Sequence, residues 1–304
     1  MPRIAVVFSA SVSEYAAAVL PAGYRSHADV CVALRAHGAT EIGYSVEGSA
    51  LLAATFGATD AARVSIVVAG LHALEWIGVE TALAIAARLA VSPPRDRRVV
   101  IVALANPDGY RAIESDLRSG RRRFRRTNAN GVDLNRNWPT AFVHRDRRWA
   151  LWNWGGRGPA SEPEVAAIVR MLDGAVAGGA LIDTALSLHS FGRKLLVPYG
   201  GRFTRSPRHR QLVTRARAVQ ARLAEPYSID QVSRWLPGAF AYGMEIDDFH
   251  DRYGACALLV ECSFGGLSLD PATWLQPFCW YNPPDPTAVA ADLARALDNF
   301  VRGS

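Results

Sequence analysis

The chain has 304 residues, half of them hydrophobic and a fifth charged, with a formal net charge of +6. That composition excludes intrinsic disorder, collagen-like sequence and a disulfide scaffold, and the length suffices to bury a core without metal or disulfide staples. Lys194 is the only lysine, so the positive charge is almost all arginine, and the four cysteines show neither CxxC nor zinc-finger spacing and read as reduced thiols.

Short β-branched runs alternate along the chain with helical stretches. Residues 4–8 form the first apolar run, short for a signal-peptide core. No window reaches the ~18 apolar residues of a membrane span, so a cytoplasmic protein is expected. Residues 64–68 predict a buried strand and 75–89 an alanine- and leucine-rich helix. Residues 99–104 predict a further strand. Ser161, Glu162, Pro163 and Glu164 then read as a capping box opening a helix over 161–172. Residues 181–188 and 257–260 are two more apolar runs, separated by a helix over 208–223, and a last helix is expected at 287–301. The alternation predicts a single α/β domain over 1–304. Its central sheet should be mixed but mostly parallel, with helices on both faces and functional side chains in loops at the strands' carboxyl ends.

The first such loop carries His72 and Glu75, three residues apart, one helical turn, so both side chains can converge on one point. Taken alone, a surface histidine and a glutamate favoured at a helix N-terminus explain the pair as well. His189 follows the strand at 181–188 and would complete a His₂Glu set suited to one catalytic zinc ion. Glu261 ends the apolar run at 257–260. Desolvation there raises a carboxylate pKa and suits a general base, although an arginine-paired strand-end glutamate also fits.

Further segments follow in order: Asn106-Pro107-Asp108-Gly109-Tyr110, Arg123-Phe124-Arg125-Arg126, Gly131-Val132-Asp133-Leu134-Asn135-Arg136-Asn137-Trp138, Leu188-His189-Ser190-Phe191-Gly192 and Leu258-Leu259-Val260-Glu261. Together with Ser45-Val46-Glu47-Gly48, this ordered set resembles the carboxypeptidase A family of zinc metallopeptidases. The resemblance implies that His72, Glu75 and His189 hold zinc and that Asp133 accepts a hydrogen bond from His72. It implies that Asn135 and Arg136 clamp the substrate's terminal carboxylate, that Arg125 stabilises the oxyanion and that Glu261 is the general base. The implied reaction is hydrolysis of the C-terminal peptide bond of a small peptide or peptidyl conjugate with a free terminal carboxylate.

The sequence also departs from the family. Leu74 stands where an arginine often precedes the zinc-binding glutamate, removing a contact to the substrate backbone. Tyr242 is the nearest candidate for the family's mobile tyrosine, with core packing as its other reading. Ile246 falls at the floor of the side-chain pocket and implies an apolar or aromatic terminal residue. A shift of one position would put a carboxylate there and favour lysine or arginine. The length leaves no room for the long inhibitory propeptide of secreted relatives, so a narrow substrate range is expected.

An alternative on the same scaffold is an amidohydrolase acting on an N-acyl amino acid or a γ-linked peptidoglycan fragment. A non-catalytic polyanion-binding protein using Arg118, Arg121, Arg122, Arg123, Arg125 and Arg126 is the other class. No aromatic-interleaved or helix-turn-helix motif supports it, and neither a nucleic acid nor a membrane is expected as a partner.

Overall fold

The computed structural model describes residues 20–147, 153–235, 240–265 and 271–304; the run at 4–8 lies outside them. The other β-branched runs all fold as strands, and among the described residues four further strands join them. The eight are β1 (Thr40–Tyr44), β2 (Ala50–Gly57), β3 (Arg63–Ala69), β4 (Arg98–Val102), β5 (Leu181–His189), β6 (Lys194–Val197), β7 (Ser228–Gln231) and β8 (Cys256–Glu261). They form one sheet in the order β1-β2-β4-β3-β5-β8-β6-β7. The central strands β4, β3, β5 and β8 run parallel, and antiparallel pairing enters at β1–β2, β2–β4 and β6–β8. The sheet is therefore mixed with a parallel centre, as the alternation of strands and helices requires.

Alternate residues of the central strands enter two cores. Val67, Ala69, Leu186, Leu188, Leu258 and Val260 pack with helices α2 (Trp76–Val91), α5 (His209–Gln220) and α7 (Pro286–Val301). Ile66, Val68, Ala185, Ala257 and Leu259 face the other way, against α4 (Pro163–Ala177) and α6 (Glu245–Arg252). The remaining longer helices are α1 (His27–Ala36) and α3 (Pro107–Arg118). Each fully buried aliphatic side chain contributes about 1.5–3 kcal/mol, so a one-residue slip of a central strand would misplace many such contributions. This fixes the strand register, and the register places the site. Ala69 pairs with Leu188 across β3 and β5, and His189 pairs with Glu261 across β5 and β8. The carboxyl ends of three neighbouring strands thus finish level with one another.

Two local expectations are corrected. The capping box at Ser161 does not form: Glu162 is the N-cap of α4, and its side chain makes no cap hydrogen bond. Proline at the first helical position sets the start one residue later. The Ser161 hydroxyl meanwhile accepts from Asn137 Nδ2 at 3.0 Å and donates to Glu162 Oε1. The arginine run also differs from an open cationic face. Arg118, Arg121, Arg125 and Arg126 each pair with an acidic side chain: Glu114, Asp116, Asp116 and Asp133. No helix among the described residues is long and apolar enough to cross a membrane.

Candidate metal centre and active-site cavity

β3 ends in a turn at Gly70, whose φ is +65°. An added Cβ would meet Leu104 and Val79 side-chain atoms at 3.0 Å, so both the turn and the packing demand glycine. The chain then places His72 and enters α2 with Glu75 at the N-cap. That position normally caps with its own side chain, but the Glu75 carboxylate makes no cap bond. Asn282, from the far end of the chain, does the work instead: its Oδ1 accepts from Ile77 N at 3.0 Å, and its Nδ2 donates to Leu74 O at 2.7 Å. The freed Glu75 carboxylate turns to the histidines. α2 can lie this close to β5 because residue 78 is glycine, where a Cβ would sit 2.8 Å from Leu188 O.

His72, Glu75 and His189 are all buried, and one potential ligand atom from each lies within 4.8 Å of the others. Glu75 Oε1 is 2.8 Å from His72 Nδ1 and Oε2 is 2.8 Å from His189 Nδ1, while the two Nδ1 atoms stand 3.1 Å apart. Both rings therefore turn Nδ1 to a common point. Their outer nitrogens meet carboxylates. His72 Nε2 is 3.1 Å from Asp133 Oδ1, the partner expected from the sequence. His189 Nε2 is 3.0 Å from Glu245 Oε1, a contact the sequence did not suggest. Such partners fix the tautomer and orientation of a ligating imidazole.

Burial opposes the charge of Asp133, but Arg126, His72 and Arg136 outweigh it and hold the carboxyl well below the usual range. Glu75 is likewise held low against burial by His72 and His189. Arg126 is raised, because Asp133 and Glu75 overcome its burial. Glu261 goes the other way: burial, reinforced by the charges of Glu75 and Glu245, pushes it up to about 8 despite His189 and Arg126.

The centre opens into a cavity of about 820 Å³ lined also by Arg126, Asn135, Arg136, Arg145, Tyr242 and Glu261. Glu261 Oε2 is shielded from solvent and has no hydrogen-bond partner among the described residues. Asn135 Nδ2 is 3.3 Å from His189 Nε2. Arg136 leans on the Asn135 carbonyl at 2.6 Å and keeps part of its surface in the cavity. Tyr242 lines the cavity instead of packing in the core, with the Arg145 guanidinium 5.6 Å above its ring.

Two site expectations are corrected. Arg125 does not line this cavity: its Nε is 2.5 Å from Asp116 Oδ2, at the end of α3, which draws the side chain to the far side of the loop. The next residue, Arg126, enters the cavity. Its Nε donates to Asp133 Oδ2 at 2.8 Å and its Nη1 lies 3.6 Å from Glu75 Oε1. Ile246 is 1% exposed in the core and also lines no part of the cavity. As the second residue of α6 it is turned about 100° from Glu245, toward Phe249 and the sheet. The aliphatic lining comes from Leu196, Val232, Ala241, Met244 and Leu259, and Phe191, Trp235, Phe240 and Phe264 add aromatic surface. Arg126, Arg145, Glu245 and Tyr281 are among the cavity or centre residues to which sequence reasoning assigned no site role. Only for Arg126 was a signal at hand, as the arginine adjoining the one chosen.

Two imidazole nitrogens and a carboxylate, buried beside an unpartnered glutamate and open to a cavity, are the donor set of a catalytic zinc site with its fourth position free. The electrostatics set the pH behaviour of such a site. Burial works against a charged His189 ring, but Glu75 and Glu245 outweigh it and raise its pKa to about 10. Below that pH the ring must release a proton before Nδ1 can bind metal. Zinc affinity of the metal-free protein is therefore expected to rise about tenfold per pH unit between pH 6 and 8, with roughly one proton released per ion. Competition titrations with a chelator, and calorimetry in buffers of different ionisation heat, measure both; a flat affinity profile would refute the assignment. The histidine's own linkage has the opposite sign. Because its folded pKa is raised, its contribution to metal-free stability is full below about 6.5 and is lost as pH rises through about 10.

Comparisons with known proteins come to the same place. Residues 38–260 match a family model described as zinc carboxypeptidase, which stops one residue short of Glu261. Human carboxypeptidase A5 is 28% identical over 262 residues, covering 78% of this chain and 58% of the relative. The chain spans about half the length of the curated relatives it matches. Among solved structures, the carboxypeptidase A of Helicoverpa armigera superposes with a TM-score of 0.74 at 20% identity, over 92% of this chain and 74% of that one. Murein-tripeptide amidase MpaA from Escherichia coli O157 shares the fold with a TM-score of 0.50 at 21% identity, over 84% of this chain and 91% of that one.

Proposed function

The chain belongs to the zinc carboxypeptidase family, and from that premise we propose that it is a zinc-dependent hydrolase releasing the C-terminal residue of a small peptide or peptidyl conjugate. The observation that carries the reading is one cavity holding three kinds of group: the His72–Glu75–His189 set, the unpartnered Glu261 and the Asn135–Arg136 pair. His72 Nδ1, a Glu75 oxygen and His189 Nδ1 would hold the ion. When bound, zinc supplies a Lewis acid that polarises the scissile carbonyl and makes water more acidic.

The chain's own groups do the rest. Arg136 and Asn135 receive the terminal carboxylate, the guanidinium through two parallel charge-assisted bonds, so the bond one residue inward lies at the centre. Glu261 takes a proton from the attacking water and later gives it to the leaving amine. Arg126, held by Asp133, supplies the donor to the developing oxyanion that the resemblance had assigned to Arg125. The side chain of the departing residue meets Leu196, Val232, Ala241, Met244 and Leu259, which favours an apolar residue.

A second reading draws on Arg145. It joins Arg136 and Tyr242 around a small recess of the cavity, which gives the carboxylate end a second cation. That would suit an amidase whose substrate carries two carboxylates, such as an N-acyl glutamate or a γ-linked peptidoglycan fragment. The zinc-loaded protein incubated with blocked dipeptides ending in phenylalanine, arginine or glutamate, alongside an N-acyl glutamate, separates the two. Release of apolar terminal residues from dipeptides is expected. Turnover of the acyl glutamate alone would replace the first reading by the second, and turnover of nothing would remove both.

A further inference from the structure

We infer that Glu245 is a positioning residue of the metal centre: it accepts a hydrogen bond from the Nε2–H of His189, holds that ring with Nδ1 toward the ion, and thereby leaves the Asn135 amide for the substrate carboxylate. The inference rests on reading His72, Glu75 and His189 as a metal centre.

Glu245 is the first residue of α6 and its side chain is fully buried, a costly place for a carboxylate without partners. Its Oε1 is 2.6 Å from the Ser187 hydroxyl, which donates to it, and 3.0 Å from His189 Nε2. Ser187 and His189 are alternate residues of β5, so one strand face presents both donors to one oxygen. Oε2 has no partner. All the hydrogen bonding of this buried group is thus spent on holding β5 at the histidine, and the carboxylate does not line the cavity where a substrate would meet it.

Asn135 completes the argument. Its Oδ1 accepts from the Glu245 backbone N–H at 3.2 Å, which fixes the amide with Nδ2 toward His189 Nε2, 3.3 Å away. A ring nitrogen carries either a proton or a lone pair. With a metal at Nδ1, Nε2 must carry the proton, and this N–H donates a hydrogen bond to Glu245 Oε1. The Asn135 amide then has no acceptor on the ring, and its donors remain for the cavity that it lines. Glu245 therefore links ligand orientation to carboxylate recognition. On the other side of the centre, Asp133 holds His72 and accepts from Asn135 N at 2.9 Å.

The test titrates metal-free protein with zinc against a chromophoric chelator for the wild type, Glu245→Gln, Glu245→Ala and Ser187→Ala. Thermal midpoints of the metal-free forms report folding. Zinc affinity is expected to fall about 10–100-fold in Glu245→Ala, less in Glu245→Gln, which keeps one acceptor, and a few-fold in Ser187→Ala. The visible spectrum of the cobalt(II)-loaded Glu245 variants should shift, which loss of packing alone would not produce. Folded variants with wild-type zinc affinity and an unchanged cobalt spectrum overturn the inference. So does an effect confined to the choice between phenylalanine- and arginine-terminated dipeptides, because Glu245 would then be a pocket group. If both Glu245 variants fail to fold, Ser187→Ala decides: weakened zinc binding supports the inference and unchanged binding overturns it. Zinc affinity is read without substrate, so a protein that hydrolyses none of the peptides would sink the hydrolase reading and leave this one standing.

Discussion

Replacing Glu261 by glutamine is expected to lower kcat by about 10²–10⁴-fold while leaving zinc content intact. Glutamine has the shape of glutamate but cannot accept and return a proton. Glu261 is the last residue of β8, locked by the ladder to His189, so the substitution leaves the backbone undisturbed. Its Oε2 has no partner to lose, and none of its atoms is among the converging ligand set. Burial, and then the neighbouring Glu75 charge, raises its pKa above the usual carboxylate range, the direction a proton-carrying group needs. Steady-state assay of an apolar-terminated blocked dipeptide, with metal analysis of the same sample, measures the effect. Activity within a few-fold of wild type would remove Glu261 from the chemistry.

Arg136→Ala is expected to lower kcat/KM for free-carboxylate substrates by about 2–5 kcal/mol, roughly 30- to 5,000-fold, the range for removing one member of a buried charge pair. The same peptides with an amidated terminus should lose little, because they have no carboxylate to clamp. The loss is thus a loss of discrimination, visible as the ratio of the two rates. Lysine should rescue poorly, since a point charge cannot reproduce a planar two-bond grip. Arg136 also sits near Asp133, whose charge it helps to hold. Zinc affinity measured on the variant therefore separates a damaged centre from a missing clamp. Equal losses on acid and amide would refute the clamp.

The parts of the molecule legible from sequence are those governed by local chemistry. Parallel central strands buried on both faces are dominated by apolar and β-branched residues, and those at 64–68 and 181–188 were readable as such. β1, β2, β6 and β7 were not: β1, β6 and β7 are four or five residues long and, except for β6, largely uncovered, while β2 is buried but alanine-rich, with Thr55 as its one β-branched residue. The convergence of His72, Glu75 and His189 was expected from their positions after strands, and the structure brings them together. Arg125 and Ile246 failed for a different reason. Each was placed by counting along a loop or helix start, where a single residue reverses which way a side chain points. Asp116 settles the arginine, and the first turn of α6 settles the isoleucine. Glu245 was invisible because its partner lies 56 positions away, on another element.

The level finish of β3, β5 and β8 has a consequence for how such a molecule can change. His189 and Glu261 stand on one rung of a hydrogen-bonded ladder, and His72 follows within three residues of the adjoining strand. The reacting parts are thus bolted to the least deformable portion of the architecture. On the proposed reading, the groups that receive the substrate's carboxylate come from the turn at 134–136, and part of the apolar lining, Ala241 and Met244, comes from the segment at 240–244. Swapping those attachments between homologous scaffolds should transplant selectivity and leave the hydrolytic engine running, which makes the two segments natural first targets for engineering.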